Sequence, residues 1–170
     1  LDGNKLLLNG SQITLKGINR HEHDPKNGRA ITVEQTEREL RLIKSHNFNA
    51  IRCSHYPNNP AFYELCTELG IYVMNEADIE THGAHVCGDM GYFSKHPRWL
   101  EAYCYRVSRM YERDKNHASV LIWSCGNESY CGDDIAAMAD YFHEVDKTRL
   151  VLLPKIILMY FNYNSNLDYE

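Results

Sequence analysis

Short apolar runs alternate with longer segments of helical period along most of the chain, the pattern of βα units laid around a parallel sheet. The runs are Ile13 to Ile18, Asn49 to Cys53, Ile71 to Met74 and Val120 to Ser124, and a short fifth run lies near Leu150 to Leu153. Thr32 to Ser45 predicts a helix: Thr32 and Gln35 make a capping box, and Val33, Thr36, Leu40 and Ile43 form one stripe. After the second run, Asn59 can cap a helix, Pro60 suits its first position, and Gly70 can end it in a left-handed conformation. A third helix is expected from about Pro97 to Asp114 and a fourth from Asp133 or Asp134 to about Val145. The connection Ala77 to His96 is polar, punctuated by glycine, and read as irregular; long connections in compact domains are often functional.

The count is four βα units with a fifth strand, half of an eight-fold barrel. The fold class expected is therefore α/β, a partial (β/α)8 barrel over residues 1–149, followed by a divergent tail over residues 150–170. A half-barrel leaves strand edges without neighbours, which makes independent stability a question in itself.

Bulk composition narrows the function classes. The 170 residues are 44% hydrophobic and 24% charged, as in an ordinary globular domain. The balance of 18 basic against 23 acidic residues gives a net charge of −5, with no basic cluster suited to a phosphate backbone, so nucleic acid is not an expected partner. Leu150 to Phe161 is the most apolar stretch, but Pro154 and Lys155 interrupt it and it is shorter than the ~20 residues a membrane span requires. No membrane partner is expected. The chain opens on Leu1 without a charged and apolar leader, which reads as a piece of something longer with no signal peptide. Six cysteines at irregular separations lack any C-x-x-C pair and read as free thiols, consistent with a reducing, cytoplasmic setting.

Chemistry gathers just after each run, where parallel α/β folds place their ligand sites. Asn19-Arg-His-Glu-His23 follows the first, Arg52 and Ser54-His-Tyr56 lie at the end of the second, Asn75-Glu-Ala-Asp-Ile-Glu-Thr-His82 follows the third, and Asn127-Glu128 the fourth. Taken singly, each has an ordinary explanation: a solvated turn for His21 to His23, or the first turn of the next helix for Glu128. A lone His-x-His is weak evidence for zinc. Glu80, His82 and Glu128 together offer two carboxylates and one imidazole, a set better suited to a hard, oxygen-liganded ion such as magnesium. Glycoside hydrolysis requires one carboxyl group to protonate the leaving oxygen and another to act as nucleophile or base, and Glu128 suits the first role.

Four segments carry a family resemblance: Gly17-Ile-Asn-Arg-His-Glu-His23, Asn47-Phe-Asn-Ala-Ile-Arg-Cys-Ser-His-Tyr-Pro57, Asn75-Glu-Ala-Asp-Ile-Glu-Thr-His-Gly83 and Ile122-Trp-Ser-Cys-Gly-Asn-Glu-Ser129. In this order they resemble the catalytic barrel of the bacterial-type β-galactosidases, retaining glycoside hydrolases whose relatives include β-glucuronidases and β-mannosidases. The resemblance spans about Leu6 to Val145. It implies that Glu128 is the general acid/base, that Asn127 bonds the sugar 2-hydroxyl, that His21 and His55 contact the galactosyl unit, and that Arg52 orients the nucleophile. It also implies magnesium held by Glu80, His82 and Glu128, a β-galactoside substrate, and a parent enzyme assembled from like subunits.

Departures from the family pattern bound these expectations. The family's nucleophile is a second glutamate at the end of a later strand, and none of Asp133, Asp134, Asp140, Glu144, Asp146, Asp168 and Glu170 has such a context. Tyr130 stands where the family usually has glycine. From about Leu150 the resemblance stops, and the uncharged, β-prone stretch Ile156 to Phe161 is an aggregation hazard if exposed. The tail reads as a truncated or misread continuation. The function expected is that of a β-galactosidase segment carrying the acid/base and magnesium half of a retaining site. The alternative is an inactive half-barrel that binds sugar or complements a partner chain.

Overall fold

A computed structural model of the chain describes residues 5–154. The apolar tail segment Ile156 to Phe161 lies outside them. A two-stranded hairpin, β1 (Leu6–Leu8) and β2 (Ser11–Ile13), precedes five parallel strands in sequential order: β3 (Gly17–Arg20), β4 (Ala50–Cys53), β5 (Tyr72–Glu76), β6 (Val120–Ser124) and β7 (Leu150–Leu152). Helices α1 (Val33–Ser45), α2 (Pro60–Leu69), α4 (Leu100–Asp114) and α5 (Asp133–Val145) form the crossovers, and the short helix α3 (Tyr92–Lys95) lies in the β5 to α4 connection. This is the partial βα barrel that the pattern predicts.

Local signals explain most element boundaries. Thr32 and Gln35 close their reciprocal capping box, with Gln35 N 3.2 Å from Thr32 Oγ1 and Thr32 N 2.8 Å from Gln35 Oε1. Asn59 Oδ1 accepts from Ala61 N, and Gly70 ends α2 in the left-handed region at φ 65°. Thr36, Leu40 and Ile43 are buried as the stripe requires, whereas Val33 faces solvent.

Three expectations are corrected. Ile13 to Ile18 is not one strand, because Asn9-Gly10 turns the chain with positive φ at both residues and commits Ser11–Ile13 to an antiparallel hairpin. The barrel strand starts only at Gly17, after Asn49 has fastened the intervening segment through Lys16 N and Thr14 O. The Ala77 to His96 connection is partly regular, with a 3-10 turn over His82–Cys87 and α3. Finally, β5 runs two residues beyond Met74, so that Asn75 and Glu76 belong to the strand.

The core lies between the sheet and its helices, where Leu40, Ile51, Phe62, Val73, Val107, Trp123, Met138 and Phe142 are almost inaccessible to water. Trp123 stacks on Phe142 at 5.4 Å. Three of the six thiols, Cys53, Cys66 and Cys125, are buried, and all six are free. Burial pushes Cys66 and Cys125 up to about 12. The opposite face of the sheet carries the half-buried Arg52, Tyr72, Met74 and Leu121. Among the described residues, β3 and β7 each have one neighbouring strand. No helix among them is long and apolar enough to cross a membrane.

Candidate active site

Alternation along β5 divides its last two residues. Asn75 points to the helices, accepting from Tyr63 OH at 2.7 Å and donating to Asp114 at 2.6 Å. Glu76 lies on the inner face with Arg52, whose register partner on β5 is Met74. The Glu76 carboxylate is fully buried and saturated. Arg52 Nε and Nη2 reach it at 2.6 and 3.0 Å, His55 Nδ1 at 2.7 Å and Ser124 Oγ at 2.7 Å. This anchor was not singled out from sequence, although an acid inside an apolar strand is itself a signal.

The network continues outward. Arg52 Nη2 donates to Asn127 Oδ1 at 2.9 Å, and Asn127 Nδ2 donates to Glu80 Oε2 at 2.7 Å. Backbone pairing supports it: Asn127 N bonds Ile79 O at 2.9 Å, giving a parallel bridge between Glu80 and Asn127 beyond the ends of β5 and β6. Ser129 Oγ joins the two segments again, accepting from Thr81 N and donating to Asn127 O. The close approach depends on Gly126, at φ 133°, where an added Cβ would stand 2.5 Å from Ile79 O.

These contacts bring Glu80, His82 and Glu128 together. One ligand-type atom from each lies within 4.8 Å of the others; His82 Nδ1 is 3.1 Å from Glu128 Oε2 and 3.7 Å from Glu80 Oε1. Among the described residues this is the one group of three such donors, and the His21 and His23 pair forms none. Glu128 is half exposed and sits at φ 42°, in the left-handed region. It does not begin the next helix, because α5 is capped by Gly132 and starts at Asp133. Tyr130 is also left-handed, at φ 59°, a conformation that favours glycine; Lys95 Nζ lies 4.2 Å from the centre of its ring.

His21, His55, Asn127, Glu80 and Glu128 line one open depression of about 340 Å3, with Arg29, Tyr56 and Asp78. His21 packs edge-on against His55 at 5.3 Å. Desolvation, with the nearby His55, Arg29, His23 and Arg52, lowers the His21 pKa from its ordinary value and favours the neutral ring. Arg29 lies 4.1 Å over the Tyr56 ring, and Tyr56 OH accepts from Glu22 N, so the loops after β3 and β4 support each other. Tyr56 belongs to the group already read at the end of the second run, whereas Arg29 had no signal in the strand pattern, because it reaches the site from the far end of a loop. Arg20 and Glu22 turn away from the depression, toward Glu39, Asn58 and Asn59.

Acids and imidazoles collected at the carboxyl ends of parallel strands define a barrel-type α/β chain with its site on one rim. The chain belongs to glycosyl hydrolase family 2: the family's TIM barrel domain matches residues 1–164, a span that runs beyond residue 150. It is 52% identical over 151 residues to a β-galactosidase of Streptococcus thermophilus, covering 86% of this chain and 15% of that protein. A β-galactosidase of Pectobacterium atrosepticum is 50% identical over 146 residues, covering 86% and 14%. Among solved structures, a β-glycosidase from Bacteroides vulgatus superposes with a TM-score of 0.73 at 33% identity, over 87% of this chain and 19% of that one. The chain thus spans about one seventh of the length of these curated relatives.

Proposed function

We propose that this chain is the acid/base and metal-binding segment of a β-galactosidase that removes terminal β-galactose with retention. The convergence of Glu80, His82 and Glu128 beside Asn127, in a chain with 52% identity to a named β-galactosidase, carries the reading. Glu128 protonates the glycosidic oxygen as the bond breaks, and then takes a proton from the water that releases the sugar. Its half-exposed position leaves room for a leaving group. Asn127 uses one amide hydrogen on Glu80 and has a second to offer the 2-hydroxyl. With Nδ1 of His55 committed to Glu76, its Nε2 faces the sugar, and His21 supplies the adjacent wall. Arg52, fixed by Glu76 and Asn127, presents the positive charge toward which a nucleophilic carboxylate is oriented.

Two carboxylates and an imidazole, open to solvent, fit magnesium, which keeps several waters and prefers oxygen. When bound, the ion supplies positive charge beside Glu128. Magnesium titration of the full chain by calorimetry, with and without galactose, tests the site: each ligand should tighten the other, and independent binding would overturn the reading. Without a nucleophile the isolated chain should release almost no chromophore from a nitrophenyl galactoside, and a rate within about tenfold of a full-length relative would contradict this division of roles.

A second reading rests on the strand edges at β3 and β7 and on the apolar depression of about 250 Å3 that Ile18, Met74 and Leu121 help to line on the inner face. In it the chain complements a separate chain that supplies the remaining strands. Mixing the two should restore turnover, and failure to co-elute on a sizing column would count against it.

A further inference from the structure

Helix α4 is seated in the core by Tyr103, Val107 and Met110, spaced to share one face. Two of its side chains reach back to residues 78–82, the segment that carries Glu80 and His82. The Tyr103 hydroxyl, on a residue that is 3% exposed, pairs with the hydroxyl of Thr81. Almost one turn further along the helix, Arg106 Nη1 donates to Asp78 O and lies 3.2 Å from the Asp78 carboxylate. The two grips therefore fall on either side of Glu80, and the second is adjacent to His82. Thr81 is also held from the opposite side, where its N donates to Ser129 Oγ at 3.0 Å. A chain of bonds thus runs from α4 through Thr81 to the turn that bears Glu128.

Packing does little of this work. Ile79 is buried in the core, but Asp78, Glu80 and Thr81 share with Tyr103 and Arg106 a cavity of about 360 Å3, so polar links rather than close contact span the gap to α4. Nor are the three cation ligands packed in place, since the side chains of Glu80, His82 and Glu128 are between 36% and 59% exposed. Their spacing comes from the backbone that carries them.

We infer that Tyr103 and Arg106 are positioning residues of the cation site, fixing the segment between them so that Glu80 and His82 meet Glu128 at the spacing magnesium requires. This rests on the magnesium reading of the site and deepens it, because neither residue supplies a ligand atom. Magnesium demands near-ideal octahedral geometry, so small displacements of the ligand-bearing backbone lower affinity. Charge acts in the opposite direction. Arg106 is a cation near a cation site, and removing it leaves the Asp78 carboxylate uncompensated in the depression that Glu80 and Glu128 line, which by Coulomb attraction alone would tighten magnesium. The sign of the change on deleting Arg106 therefore separates positioning from charge.

Calorimetric titration of the full chain with magnesium chloride makes the test. Tyr103→Phe and Arg106→Ala should each weaken binding by about three- to tenfold, the lower end of the effect of losing a group that orients a ligand. Arg106→Lys, which keeps a donor for Asp78 O, should recover most of the loss. The Arg106 and Asp78 side chains are 48% and 64% exposed, so the urea midpoint of Arg106→Ala should stay where it is in the unaltered chain. Magnesium held equally or more tightly by either variant would overturn the inference and leave the magnesium reading standing. A loss in Arg106→Ala that follows a fall in its urea midpoint would also overturn it, because the residue would then be merely structural. If the unaltered chain takes up no magnesium, the magnesium reading falls and the inference with it.

Discussion

Arg52 meets Glu76 with both prongs of its guanidinium, Nε on Oε2 at 2.6 Å and Nη2 on Oε1 at 3.0 Å. The carboxylate is shut away from water while Arg52 remains 23% exposed in its side chain. Glu76 therefore depends on its partners, and the partners take their positions from it.

Replacing Glu76 by Gln keeps the shape and removes the charge that holds Arg52. We expect a loss of about 2–4 kcal/mol, near the lower part of the range for a broken buried pair because Arg52 is partly solvated. A urea midpoint shift with an unchanged slope would show it. Magnesium affinity should fall as well, because Asn127 and Glu80 hang on the same chain of bonds.

Gly126→Ala should disrupt the approach of the two segments that carry Glu80 and Glu128. A Cβ at φ 133° meets Ile79 O at 2.5 Å, and the combined strain and displacement should cost about 2–4 kcal/mol. Calorimetry would reveal a magnesium affinity reduced by about tenfold or more, since the donor atoms must separate. An unaltered affinity would falsify the claim that this glycine sets the spacing.

His21 should titrate below its ordinary value of 6.5, because its surroundings and the neighbouring positive or protonatable groups favour the neutral ring. Its folded pKa is depressed, so the unfolded chain binds more protons between the two values. The contribution to stability is then present above 6.5 and is lost as pH falls through the folded pKa. Arg29→Gln should move the His21 signal toward 6.5 in an NMR titration.

Asp146 has the same pH direction with a carboxylate's chemistry. Burial pushes its pKa up, but hydrogen bonds from Trp123, Thr148 and Arg149 outweigh it and hold the group far below the carboxylate range. Its contribution is present above 3.8 and is lost as pH falls toward the folded value. Asp146→Ala should cost about 2–4 kcal/mol at neutral pH by leaving Arg149 and the Trp123 N–H without their acceptor. Thermal unfolding should show this difference narrowing in acid.

Legibility differed by the range of the forces involved. Thr32 with Gln35 and Asn59 with Gly70 are local devices, visible within a turn of helix, and α1 and α2 follow them closely. Asn9-Gly10 was equally local, but the long apolar stretch behind it masked the hairpin. The strand-end residues were legible as a rim because parallel sheets concentrate polar groups there. The central place of Glu76 was not, since it rests on register: Arg52 shares its face only because β4 and β5 pair as they do. The place of Arg29 depends on how a loop folds back, which no periodicity encodes.

Glu128 and Tyr130 both hold left-handed backbones that suit glycine or asparagine better. Any screen that rewards resistance to heat will therefore be drawn to these positions. A variant that relaxes Tyr130 alone is tolerable, but one that relaxes Glu128 discards the acid along with the strain. The most durable form of this chain and its most useful form are for that reason different sequences, and they diverge first at this turn.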